Sequence, residues 1–293
     1  MPARSIYIER ESILELLSDD RPTFRHADMT HVKFRQPPVT EVVFSVSFTL
    51  DRPLKMAHFG LFWERIRAEF PRIEDNPPLP GVIQPSSDPM ATQQIEFMLL
   101  PPLRRVWFLD KEGRDVIQIQ DDRFIFNWKR NPSDPGYPGF DEVNRRFEQH
   151  LGAFTRFLSD EGFGTPNYTF LELIYVNHLD HSNGLGHLQA GNVLVDHQRD
   201  TTRERFLPEP AAFNWLTQYA VTGGMGMLQV HAQTVAQVGG TPAMRLDVAA
   251  RGAPATPAED ERLRWFQVAH EWATQGFTDT VVASLLDERW GRV

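Results

Sequence analysis

Histidines and acids crowd one stretch of the chain: His178, Asp180, His181 and His187, with His197 beyond. Imidazole and carboxylate are both common metal ligands, so this stretch is the first place to look for chemistry. The spacing fits no tight helical or hairpin pair, and Gly and Asn surround it. A polar loop is therefore the preferred reading, and no metal is assigned. His270-Glu271 opens like a zinc-protease helix, but Thr274 stands where the second histidine belongs. The pair reads instead as a helix with a partly buried His. Thr222-Gly223-Gly224-Met225-Gly226 is glycine-rich yet precedes a strand, so its amides are not set to cradle a phosphate. Glu41 and Glu172 each fall on a strand, but they are 131 residues apart and nothing in the sequence brings them together as acid and base.

Amides make the more promising constellation. Gln118 and Gln120 share one side of a strand, with Ile117 and Ile119 on the other. Across the Asp121-Asp122 turn, Asn127 shares a side with Ile125, while Phe124, Phe126 and Trp128 alternate with them. Paired donors and acceptors suit a peptide backbone, a base or a sugar better than acid–base catalysis. Gln118, Gln120, Asn127, Trp128, Asn177 and Glu41 are the candidate contact residues. The plainer alternative is a solvated sheet face.

Elements must position these groups, and the chain supplies them readily. Its 293 residues are 41% hydrophobic and 24% charged, an ordinary globular composition able to bury a large core. A net charge of −9 disfavours nucleic acid as partner. The absence of cysteine excludes disulfides, thiol catalysis and iron–sulfur chemistry, and no cofactor is expected. The first residues have no signal-peptide core and the longest apolar run, Phe97 to Leu100, cannot span a bilayer, so the chain reads as cytoplasmic.

Alternation of Val42, Phe44, Val46 and Phe48 predicts a strand over 41–50, and Phe59, Phe62, Trp63, Ile66 and Phe70 predict a helix over 56–70. Six prolines predict a long loop over 71–89. Strands are expected near 93–100, 104–110, 115–120 and 124–128, then a helix over 140–161 and a strand over 168–179. The stretch 180–210 reads as loop. A helix over 209–220, strands over 226–237 and 242–250, and helices over 257–275 and 279–290 complete the reading. The sum is an α+β protein: antiparallel sheet with packed helices, in two pseudo-duplicated strand–helix–strands–helix halves. The expected divisions are an extension (1–32), a first half (33–165) and a second half (166–293).

Several segments together resemble a sporadically distributed bacterial family of unknown function. Pro37, Pro38, Val39, Glu41, Val42, Val43 and Phe44 are similar to its PPVxEVVF opening. Gln118, Gln120, Phe124, Asn127, Trp128, Tyr137 and Pro138 are similar to its QxQ…FxxNW…YP stretch. Tyr175-Val176-Asn177 resembles its Tyr-hydrophobic-Asn strand, and Phe277, Thr278, Trp290 and Gly291 resemble its FxxT…WG ending. The resemblance spans about residues 33–293 and implies an accessory system of defence or toxin–antitoxin type. It supplies no catalytic residue. The expectation is a non-catalytic binding or regulatory protein that recognises a protein or small ligand through a polar sheet face. A protein partner, such as one encoded nearby, is favoured. The alternative is a hydrolase or lyase using a carboxylate base or a His/Asp metal site.

Overall fold

A computed structural model describes residues 32–80, 104–131, 136–180, 189–198, 204, 206–208, 210–221, 223, 225–236 and 242–293. The extension at 1–32 lies outside these residues except for Val32, as do the strand expected near 93–100 and about half of the 180–210 stretch.

The strands are β1 (Val39–Thr49), β2 (Arg72–Asn76), β3 (Arg105–Leu109), β4 (Asp115–Gln120), β5 (Arg123–Lys129), β6 (Asn167–Leu179), β7 (Asn214–Val221), β8 (Gly226–Ala236) and β9 (Pro242–Gly252). Helices α1 (Met56–Ile66), α2 (Phe140–Asp160) and α3 (Glu259–Thr280) pack against them. All nine strands join one sheet in the order β2-β3-β4-β5-β1-β6-β9-β8-β7. Every pairing is antiparallel. The fold is α+β, as expected.

The expected division at 165/166 falls between α2 and β6, and β1 pairs with β6 across it, so both halves share the sheet. From that seam outward each half places its first strand, then its last, and then runs back to its second, but the described elements number five strands and two helices against four and one. The structure does not establish the expected pseudo-duplication.

Three expectations need correction. Within the proline-rich stretch, Arg72–Asn76 is an edge strand rather than loop. Pro71 and Pro77 bracket it without interrupting it, and an edge position needs pairing on one side only. Residues 214–221, expected as helix, form β7 on the opposite edge. Trp215, Thr217 and Tyr219 alternate with Leu216 and Gln218, and the aromatic and branched residues favour strand. At the C-terminus, α3 runs on to Thr280, and a single wide turn over Leu285–Arg289 stands in place of the expected last helix.

The core lies between the helices and one sheet face. Phe44 stacks on Phe147 at 4.9 Å and meets Phe140 and Phe266, while Phe62 meets Phe108, Phe154 and Phe157. Helix α2 stops because Gly162 turns left-handed (φ 73°). The Gly162 N–H then reaches Ser159 O, and Phe163 N–H reaches Leu158 O at 2.8 Å. Phe163 is buried by the same turn. Arg262 of α3 is buried and ion-paired with Glu148 of α2, tying the two helices together.

Candidate partner-binding face

Among the described residues, the opposite sheet face carries no helix. Strand register fixes which side chains share it. Trp107, Gln118, Ile125, Ser45, Glu172 and Arg251 form one row across six strands. Asn127 and Val43 lie in the next row, and Lys129 and Glu41 in the one after.

A diagonal of hydrogen bonds crosses four strands on this face. Arg105 Nη1 donates to Gln118 Oε1 at 2.9 Å, Gln118 Nε2 to Asn127 Oδ1 at 2.7 Å, and Asn127 Nδ2 to Glu41 Oε1 at 2.5 Å. Guanidinium can only donate and carboxylate only accept, so the two ends dictate how both amides point. The aligned dipoles strengthen one another where water is excluded. Gln118 and Asn127 are each only 4% exposed, so in place of the plainer alternative, a solvated face, these amides belong to a buried polar layer. Lys129 Nζ lies 3.9 Å from Glu41 Oε1 and 4.6 Å from the Trp107 ring centre; Arg105 approaches the same indole at 5.4 Å. A second polar run crosses β6, β9 and β8, where Arg251 bridges Glu172 (2.7 Å) and Gln229.

Gln120 does something different. Its Oε1 accepts the Leu79 N–H at 2.8 Å and its Nε2 donates to Leu79 O at 3.1 Å. One side-chain amide thus pairs with both polar groups of a main-chain residue, as a neighbouring strand would. Beside it, Arg123 Nη2 donates to Pro80 O at 3.2 Å. Gln120 Nε2 also lies 3.2 Å from Asp122 Oδ1, and burial pushes the Asp122 carboxyl up.

Of the sequence candidates, Glu41, Gln118 and Asn127 come together and Gln120 lies on the same face. Trp128 and Asn177 do not join them. Trp128 is in the core on the helix side, 5.3 Å from Tyr137. Asn177 is buried there too, donating to Leu246 O at 3.0 Å. Sequence reasoning missed Arg105, Trp107, Arg123, Arg251 and Gln229. The alternation of Arg105 and Trp107 with Val106 and Phe108 was the available signal.

The carboxylates Glu41 and Glu172 point to the same side but do not meet. Ser45 is opposite Glu172, so Glu41 is four residues along the neighbouring strand, about 14 Å away at strand spacings. Each has its own basic partner. Of the histidine cluster, His178 Nδ1 bonds Thr40 Oγ1 at 2.9 Å, and burial lowers the His178 pKa. His181 and His187 lie outside the described residues, while Asp180 is described. Among the described residues no group of three or more His, Asp or Glu side chains could hold a metal ion. His270 stacks on Phe140 at 4.1 Å and bonds the Tyr175 hydroxyl at 2.8 Å, a packing role.

No family model, curated protein or solved structure matches the chain. Among the described residues no helix is long and apolar enough to cross a membrane.

Proposed function

We propose that the protein is a non-catalytic binding or regulatory component of an accessory bacterial system, and that its helix-free sheet face recognises an extended polypeptide. One observation carries this reading: Gln120 already holds both polar groups of Leu79, so the face has side chains positioned to read a peptide main chain. Main-chain pairing supplies affinity without sequence demands, and flanking side chains supply choice. The Arg105–Gln118–Asn127–Glu41 run keeps neighbouring amides rigid, which limits the ordering cost of binding. The resemblance of the PPVxEVVF and QxQ…FxxNW…YP segments to the sporadic bacterial family supports placing it in a defence or toxin–antitoxin setting, with a partner encoded nearby.

The test is co-purification with products of the neighbouring genes, comparing the parent with folded Gln118→Ala/Gln120→Ala protein. Loss of the partner with the fold retained is expected. Undiminished partner recovery by that variant would remove this face from the function.

A further inference from the structure

The two ends of the sheet are guarded unequally. At one end, β2 is five residues long, carries Arg72, Glu74 and Asp75, and is bracketed by Pro71 and Pro77. Shortness, charge and proline are the usual means of keeping a sheet edge from pairing with another chain. At the other end, the eight residues of β7, Asn214–Val221, include no charge, no proline and no register shift. Among the described residues β7 pairs with β8 alone. Leu216 is 53% and Tyr219 40% exposed, and Phe206 and Leu207, shortly before them in the chain, are exposed as well.

One hydrogen bond sets the phase of this edge. The Thr234 N–H donates to Phe213 O at 3.0 Å, so main-chain groups of the odd-numbered residues point to β8. Those of Asn214, Leu216, Gln218 and Ala220 point outward, where another strand would meet them. Side chains alternate too: Trp215, Thr217 and Tyr219 share the face of Ala232, Val230 and Leu228, the buried residues opposite them. The two aromatic residues stand symmetrically, two positions either side of Thr217. A two-fold axis through Thr217, normal to the sheet, would therefore set Trp215 opposite the partner's Tyr219 and Leu216 opposite the partner's Gln218, each twice. The aromatic pairs would fall at non-hydrogen-bonded positions, where opposing side chains come closest. The outward-pointing residues would meet one another, so their main-chain groups would be satisfied.

We propose that β7 is a homodimerisation edge, on which two copies of this chain pair antiparallel about Thr217 and continue one sheet through both. A second copy is preferred to a foreign strand because β7 is self-complementary about that residue. It is also uncharged in a chain of net charge −9, so like-charged copies approach there at least cost. Asp196 and Asp279 act on the Tyr219 hydroxyl but lie off the strand. A single pair of short strands makes a small interface, which places the dimer in the weak, concentration-dependent class. It does not depend on the peptide-binding reading above.

Sedimentation of the full chain at rising concentration should show a monomer–dimer equilibrium, with a dissociation constant of about 1–100 μM. Gln218→Pro removes an outward N–H and no bond to β8, so it should melt like the parent and associate about tenfold more weakly or worse. The register is read separately. The chain has no cysteine, so Thr217→Cys introduces a single thiol that the axis brings onto its own copy. Opposed Cα atoms about 4.5 Å apart are within disulfide reach, and this variant should cross-link under mild oxidation. Gln218→Cys, displaced two residues from its copy, is out of reach and should not. If Gln218→Pro proves unfolded, Thr217→Cys alone decides. A chain still monomeric at about 1 mM, a folded Gln218→Pro dimer as tight as the parent, or cross-linking of Gln218→Cys in preference to Thr217→Cys would each overturn the assignment.

Discussion

On the helix side of β1, Phe44 is enclosed by the rings of Phe140, Phe147 and Phe266. One residue along, on the other side, Ser45 sits between Ile125 and Glu172. Ser45 is 2% exposed although none of the described helices covers it. The two faces exclude water by unlike means, and the second less completely: Glu41, Trp107 and Arg251 on it are half-buried, whereas Phe44 and its neighbours are fully enclosed. The first is filled by interlocking aromatic volume, where a lost ring leaves a cavity. The second is filled by amides, guanidiniums and carboxylates whose stability depends on every donor finding an acceptor. A core that only has to be full can be purely structural. A polar layer whose described residues leave four buried atoms unpartnered has room in its hydrogen-bonding for something else.

Substitutions that exchange the two chemistries should break this contrast most severely. Phe44→Asp places a carboxylate among rings with no donor in reach. It should cost several kcal/mol out of about 5–15 kcal/mol of total stability, and the protein should be recovered aggregated or unfolded. Soluble, cooperatively melting Phe44→Asp protein would refute the assignment of the covered face. Trp128→Ala removes the largest side chain from that face and should cost about 3–5 kcal/mol. A melting-temperature drop of only a degree or two would show that the site collapses around the gap.

Titration separates the faces as well. On the covered side His150 lies between Phe70 and Phe126, and burial, with Arg146 and Arg145 nearby, lowers its pKa to about 4. The folded state therefore resists a proton that the unfolded chain accepts near pH 6.5, and stability falls as pH drops from about 6.5 to about 4. Asp115, also buried and only partly compensated by Arg146, is raised to about 6. It works in the opposite sense: stability is greater below its unfolded pKa and falls as pH rises through about 6. The two slopes oppose each other between pH 4 and 6. His150→Gln should remove one of them, and the stability difference between parent and variant should change by roughly 2–3 kcal/mol between pH 4 and 6.5. Denaturant melts at both pH values check it; a pH-independent difference would mean His150 is not held neutral.

Periodicity made the covered face legible in the sequence. Phe44, Phe124, Phe126 and the α2 stripe repeat at intervals of two, three and four, and each falls inward as read. The polar face was only half legible. Alternation placed Gln118, Gln120 and Asn127 on one side of a hairpin, but register across strands distant in sequence is what joins them to Arg105 and Glu41. Glu41 is 86 residues from Asn127, and no local pattern links the two. Trp128 and Asn177 were misplaced as contacts for the same reason, because polarity and aromaticity do not say which side of a sheet faces helices. β7 escaped because its exposed positions include the apolar Leu216 and Tyr219, so its alternation in burial is not matched by an alternation in polarity. β2 escaped because the prolines around it masked a short run without any.

The smallest and most discriminating prediction concerns the amide run itself. Gln118→Ala leaves Asn127 Oδ1 without its donor and Arg105 Nη1 without its acceptor. Buried groups stranded in this way cost about 1–3 kcal/mol, or some 2–12 °C in a domain of this size. Asn127→Ala should cost a similar amount by stranding Gln118 and Glu41. Removing both at once deletes the shared bond only once, so the double variant should cost less than the two singles added. Costs that simply add would mean that the side chains do not form one network. If Gln118→Ala were thermally neutral, the amide would be solvated after all, and the polar face would lose the rigidity on which its proposed reading of a peptide depends.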